Sequence, residues 1–290
     1  MKYSIYLSVA SYMDSELETT IKSLLKNTKH LNRLFVYIFS QDKNHPDLES
    51  LFSKYNFNNY IYHKVGPEEA KGVGFARSKA QSKLSSDFQY YMQIDSHTQF
   101  NKHWDSEIIK DYERNLSTWG DYVFTSYPQA YIYENNVPVK LYLKDPPPIV
   151  GIKKSSELIQ RYEAKYIAYK GNDVGQETGY FCAGLAFGYS KFFQEVPYDP
   201  NIYFQGEEQT LSIRFFEKGI KLVCPPQVYI FHNYDGDKRL RHWEVLDDWE
   251  KYEDISKETL KNFFAGMPSK YGVKSFKSIN DWAKKFINVI

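Results

Sequence analysis

Three residues define the chemistry to look for. Asp95 and His97 stand two apart in Tyr91-Met92-Gln93-Ile94-Asp95-Ser96-His97-Thr98, and His232 follows Val228-Tyr229-Ile230-Phe231. In an extended chain alternate side chains share a face, so Asp95 and His97 can turn toward one ion. Carboxylate plus imidazole suits Mn²⁺ or a similar borderline cation, which would neutralise a diphosphate and ease its departure. An isolated Asp-x-His also fits a turn in which Asp caps and His is solvated, and a lone His at a strand end also fits a surface position. Glu207 and Glu208 open a predicted helix, where the dipole favours carboxylates; the alternative is that one of them faces a reacting sugar or an acceptor hydroxyl. Arg77, in Gly72-Val73-Gly74-Phe75-Ala76-Arg77, offers a two-pronged grip that a lysine lacks. It has two uses, to orient Asp95 or to contact a diphosphate, while the Gly-x-Gly before it reads equally as a weak phosphate signal or a flexible turn.

These residues need elements to hold them. Over the first hundred residues strand and helix signals alternate, which argues for an α/β fold with a parallel sheet and crossover helices. Strands are expected at residues 3–10, 34–39, 60–65 and 88–94, with helices at 47–54 and 72–84. Another helix carries Leu17, Ile21, Leu24 and Leu25 at helical spacing, with Asp14-Ser15-Glu16-Leu17-Glu18 as its cap. Asp95 then falls at the carboxyl end of a strand, the place where open α/β sheets bind ligands. Residues 104–116 read as a helix and 122–126 as a strand. Residues 128–178, including Pro146-Pro147-Pro148, lose periodicity and read as an irregular binding insertion or lid rather than a linker. The strand, helix, strand rhythm resumes at 185–189, 207–218 and 228–231. From residue 244 onward helices are expected, with Trp243, Leu246, Trp249 and Tyr252 at one helical spacing.

Composition narrows the classes. With 290 residues and 42% hydrophobic content the chain can fill a sizeable core. Lys+Arg 37 against Asp+Glu 36 gives no bulk signal for nucleic acid or for an anionic membrane, so an anionic ligand must be held locally. No apolar run reaches the ~18 residues of a membrane span, and the N-terminus reads as a strand rather than a signal peptide. Two cysteines, Cys182 and Cys224, fit a reducing compartment without a structural disulfide. A cytoplasmic protein is expected.

The order of motifs resembles the glycosyltransferases that attach α-linked N-acetylglucosamine to hydroxyproline in proteins. The resemblance rests on Gly74-Phe75-Ala76-Arg77, on Gln93-Ile94-Asp95-Ser96-His97 with Trp104-Asp105, and on Val196-Pro197-Tyr198-Asp199-Pro200 leading to Tyr203-Phe204-Gln205-Gly206-Glu207-Glu208. It continues through Leu211-Ser212-Ile213-Arg214 and Phe231-His232-Asn233-Tyr234 to Trp243, and so covers most of residues 1–250. It implies a GT-A fold, a Rossmann-like mixed sheet flanked by helices, in a catalytic domain over 1–235 with a helical C-terminal extension over 236–290. It implies transfer of N-acetylglucosamine or a similar hexose from a UDP-sugar to an acceptor protein or glycan, with retention and with Mn²⁺ (or Mg²⁺). By position, Asp95, His97 and His232 match the metal ligands, Arg77 the donor-site arginine, and Glu207 and Glu208 the acidic pair near the acceptor. Ala10, Ser11, Tyr12 and Asp42 would cradle the uridine, with ordinary turn chemistry as the alternative. Ser96 would sit on the donor beside the ion, and Gly184 would admit close backbone approach at the sugar pocket. Two other readings compete: a Zn²⁺ hydrolase on the same three ligands, and a non-catalytic carbohydrate-binding protein on a transferase scaffold.

Overall fold

The computed structural model describes residues 3–141, 149–153, 159–165, 173–235 and 240–287, so the expected Pro146-Pro147-Pro148 break lies outside the described residues. The first half alternates β1 (Tyr3–Tyr12), α1 (Leu17–Asn27), β2 (Leu34–Gln41), α2 (Leu48–Lys54), β3 (Tyr60–Val65), α3 (Val73–Ala80) and β4 (Phe88–Asp95). These four strands are parallel, as the alternation requires. Then come β5 (Thr98–Phe100), α4 (Trp104–Trp119), β6 (Tyr122–Thr125), the hairpin β7 (Gln129–Glu134) and β8 (Val137–Lys140), the hairpin β9 (Ile149–Lys153) and β10 (Arg161–Lys165), and β11 (Gln176–Thr178). The chain closes with β12 (Leu185–Tyr189), α5 (Ser190–Glu195), α6 (Glu207–Glu217), β13 (Lys221–Cys224), β14 (Ile230–His232), α7 (His242–Val245), α8 (Trp249–Phe264) and α9 (Phe276–Phe286).

Eight strands form one mixed sheet in the order β11-β13-β6-β12-β4-β1-β2-β3, with β12 antiparallel to both neighbours. Central strands of such a sheet are buried on both faces, which is why β1 and β4 are mostly apolar or aromatic, with Ser8 and Gln93 buried among them. Ile5, Leu7 and Val9 meet Leu17, Ile21 and Leu24 of α1 and Trp104 and Ile108 of α4 in one core. Tyr6 and Tyr91 point the other way and join Ala76, Ala80, Phe193 and Phe215 from α3, α5 and α6. A third cluster ties Ile213 to Leu260, Phe263, Phe264, Ile279 and Trp282 of the C-terminal helices. No disulfide joins the buried Cys182 and Cys224. Among the described residues no helix is long and apolar enough to cross a membrane.

Three expectations change. The segment 128–178 is not uniformly irregular, since it supplies two hairpins and the edge strand β11. Its first hairpin turns on Asn135 and Asn136, at φ 50° and 61°, the two left-handed residues that a tight two-residue hairpin demands. That turn signal was visible, but the exposed Ile132 and Val137 flanking it blurred the alternation. The C-terminal periodicity also breaks: α7 stops at Val245, and Leu246 is extended before α8 begins. Finally, Asp14 does not cap α1, whose N-cap is Glu16 with no side-chain cap bond.

Candidate active site

The site grows from the end of β4. Asp95 lies in register with Ala10 of β1, and the chain then turns sharply into β5. Thr20 of α1 clamps that turn: its hydroxyl donates to the Ser96 carbonyl at 2.7 Å and accepts from the Thr98 amide at 2.8 Å. β14 pairs with β5, setting His232 opposite Thr98. This ladder brings His232 to Asp95, Nε2 to Oδ2 at 3.2 Å, and packs its ring edge-on against His97 with centroids 4.4 Å apart. One donor atom each from Asp95, His97 and His232 then lie within 4.8 Å of one another. One carboxylate and two imidazoles so placed fit a borderline divalent cation.

Asp14, just past the end of β1, holds the far side of this group. Its Oδ2 accepts from His97 Nδ1 at 2.7 Å and from the Ser96 hydroxyl at 2.6 Å, and its Oδ1 accepts from the Glu16 amide at 2.9 Å. Burial opposes its charge, but the hydrogen bond and charge of His97 and the Ser96 hydroxyl hold its pKa below the ordinary value.

Arg77 resolves its two uses. Nη2 donates to Asp95 Oδ1 at 2.7 Å and Nη1 donates to Glu207 Oε1, so the guanidinium bridges β4 and α6 beneath the site. Burial would raise the Asp95 pKa, yet Arg77 and His232 hold it far below the carboxylate range. Glu207 goes the other way: burial, with Glu208 and Asp95 nearby, pushes it up to about 8 against the pull of Arg77. Its Oε2 is buried with no hydrogen-bond partner among the described residues. Glu208 is also raised by burial, and is fastened by the Ala183 amide at 2.8 Å and the Tyr127 hydroxyl at 3.4 Å.

Above these groups opens a cavity of about 580 Å³, inside the range of small-molecule sites. Ala10, Ser11, Tyr12, Arg77, Asp95, Ser96, His97, Glu207 and Glu208 border it, as does Asp14. Asp42 does not: its carboxylate accepts from the Asn44 amide at 3.0 Å in a local turn, and Gln41 faces the cavity in its place. Gly184 is set back from the wall, where a Cβ would come 3.0 Å from Pro128 and 3.8 Å from Asp95 Oδ2. The Gly72/Gly74 pair serves packing. Gly72, at φ 94°, and Gly74 leave no room for a Cβ against the carbonyls of Tyr203 and Ile202, so α3 can seat tightly on that loop. Residues 240–243 also reach the cavity, so the C-terminal region is more than a brace. Among them His242 is held by Tyr203, and burial lowers its pKa to about 4.

Several of these residues escaped the sequence reading. Asp14 looked like a helix cap, although its place one step beyond a parallel strand was the signal. Tyr127 and Arg241 carried none, because their roles come from segments that only the fold brings together. The motif Trp104-Asp105 is a tie rather than a site: the indole donates to Thr28 at 3.0 Å, and Asp105 accepts from the amides of Lys29 and His30.

A mixed sheet with parallel β1 to β4, a cavity beyond their carboxyl ends and an Asp-x-His at the lip defines a GT-A glycosyltransferase fold. Solved structures agree on that fold. GalNAc-T7 with UDP, GalNAc and Mn²⁺ superposes with TM-score 0.63 at 16% identity, covering 98% of this chain and 55% of that one. S. aureus TarS does so with TM-score 0.50 at 12% identity, covering 100% of this chain and 49% of that one. The chain thus spans about half the length of these structures. No curated protein sequence is significantly similar to it. The chain belongs to the glycosyltransferase (GlcNAc) family, whose pattern matches residues 4–60 and 54–284.

Proposed function

We propose that this protein transfers a hexose, N-acetylglucosamine or a close relative, from a UDP-sugar to an acceptor hydroxyl, with retention and with a divalent cation held by Asp95, His97 and His232. The observation that carries the reading is the convergence of those three side chains within 4.8 Å, with Asp95 and His97 on the wall of a cavity large enough for a nucleotide sugar. The cavity wall bears Asp14, Asp95, Glu207 and Glu208 against Arg77 and Arg241, and Arg77 is already engaged by Asp95 and Glu207. A diphosphate there gains from added positive charge. When bound, the cation supplies that charge and stabilises the departing UDP.

The chain's own residues do the rest. Arg77 fixes the Asp95 carboxylate so that one oxygen stays turned toward the two histidines, a preorganisation that costs nothing at the moment of reaction. Ala10, Ser11 and Tyr12 line the cavity where the end of β1 meets Asp95, a cradle for the base and ribose. Ser96 lines the cavity beside the same carboxylate and bounds the donor. Glu207 lines the cavity and faces the sugar or an acceptor hydroxyl. Glu208, fixed by Ala183 and Tyr127, orients the acceptor. The GalNAc-T7 structure with UDP and Mn²⁺ supports the donor and the ion by likeness of fold. Hydroxyproline as acceptor rests on the motif resemblance, and the two buried thiols suit a cytoplasmic setting.

Turnover of a panel of UDP-sugars with and without Mn²⁺, scored by UDP release, tests the proposal. Metal-dependent release from one donor is expected, and Asp95→Ala or His232→Ala should abolish Mn²⁺-dependent UDP binding while the chain stays folded. Wild-type UDP binding in both variants would sink the metal site, and Zn²⁺-dependent hydrolysis without sugar transfer would replace this reading with the hydrolase.

A further inference from the structure

We infer that Asp14 is a positioning residue for the metal site: its carboxylate locks His97 in the tautomer and orientation that present Nε2 to a cation. The inference rests on the reading of Asp95, His97 and His232 as metal ligands. A carboxylate only accepts hydrogen bonds, so the 2.7 Å contact with Asp14 Oδ2 requires a hydrogen on His97 Nδ1, which in the neutral, metal-binding ring leaves the lone pair on Nε2. The same oxygen takes the Ser96 hydroxyl at 2.6 Å, and the other takes the Glu16 amide at 2.9 Å. The carboxylate is therefore immobilised on three sides before any ligand arrives, with its side chain only 4% exposed. Its backbone is fixed as well, since the Met13 amide donates to the Gln41 carbonyl and the Asp14 carbonyl accepts from Leu17.

The placement is specific to His97. His232, the other imidazole, takes its orientation from the β5–β14 ladder and its contact with Asp95, whereas His97 sits in the turn between β4 and β5 and has no strand of its own. Asp14 supplies what the backbone does not. An outer carboxylate of this kind typically governs about 10- to 100-fold in metal affinity, by fixing the ring and raising its basicity.

The test is a titration of the metal-free full chain with Mn²⁺ followed by electron paramagnetic resonance, wild type beside Asp14→Asn, together with long-range ¹H–¹⁵N spectra of His97. Asparagine keeps the size and an acceptor oxygen but removes the charge. We expect wild-type His97 to show the Nδ1–H tautomer, and Asp14→Asn to bind Mn²⁺ about 10- to 100-fold more weakly. Equal Mn²⁺ affinity in the two proteins would overturn the inference. If Asp14→Asn does not fold, the wild-type spectrum decides: an Nε2–H tautomer overturns the inference and Nδ1–H supports it. Failure of the metal-site reading looks different, because wild type would then bind no Mn²⁺ although His97 still showed Nδ1–H.

Discussion

The floor and the rim of the cavity are built on opposite terms. On the floor, Arg77 from α3, Asp95 from β4 and Glu207 from α6 meet with side chains 10%, 22% and 7% exposed. Buried charges at that depth are tolerable only when each is answered, so every element carrying one must arrive in register. At the rim, Phe204 and Leu240 leave 46% and 52% of their surface in water. Their exposed faces carry no buried charge that must be answered. Precision at the floor is thus a condition of folding, whereas the rim can vary with what it must recognise.

Breaking the floor should cost most. Arg77→Ala leaves Asp95 and Glu207 buried without their countercharge, and about 3–5 kcal/mol of stability should disappear in urea denaturation. A loss below 1 kcal/mol would mean that the floor relaxes like a surface.

Titration gives the next effect. His242, at the junction of floor and rim, is lowered to about 4 by burial. Between that value and its unfolded value of ~6.5 the unfolded chain binds the extra proton, so stability is complete above pH 6.5 and falls as pH drops toward 4. The loss should reach about 3 kcal/mol, and His242→Gln should flatten it in melting curves taken across that window.

A third test sharpens the division within the floor. Glu208→Gln keeps the size and an acceptor for the Ala183 amide, so UDP affinity should hold while kcat falls roughly 100-fold through loss of the charge that positions the acceptor. Equal damage to UDP binding would place Glu208 with the donor instead. The smallest effect belongs to the rim: Phe204→Ala should shift stability by only about 0.5 kcal/mol. It should act on the KM of the acceptor more than on kcat.

Much of the floor was legible in the chain because it obeys strand and helix periods. Asp95 was readable from the apolar run of β4 that ends at it, and Glu207 from the amphipathic pattern of α6. His232 was readable as a strand end, but its strand lies in a different sheet from β4, and no period announces the β5–β14 ladder that joins them. Asp14 was misread because Asp before a helix usually caps it. The rim and the β7–β8 hairpin were the least legible, since exposed apolar residues mimic core positions in a pattern read from hydrophobicity alone.

The ladder between β5 and β14 also bears on how the protein is made. Asp95 and His232 are 137 residues apart in the chain, and Arg77 and Glu207 are 130 apart. A nascent chain emerging from the ribosome can lay down the first four parallel strands early, but it cannot assemble the site until His232 has been synthesised. Contacts of such sequence separation form late and slowly. Until then the Arg77–Asp95 pair lacks Glu207 and His232, and the half-made sheet carries an open edge where β12 must enter, so the interval before they arrive is when the chain is most exposed to misassembly.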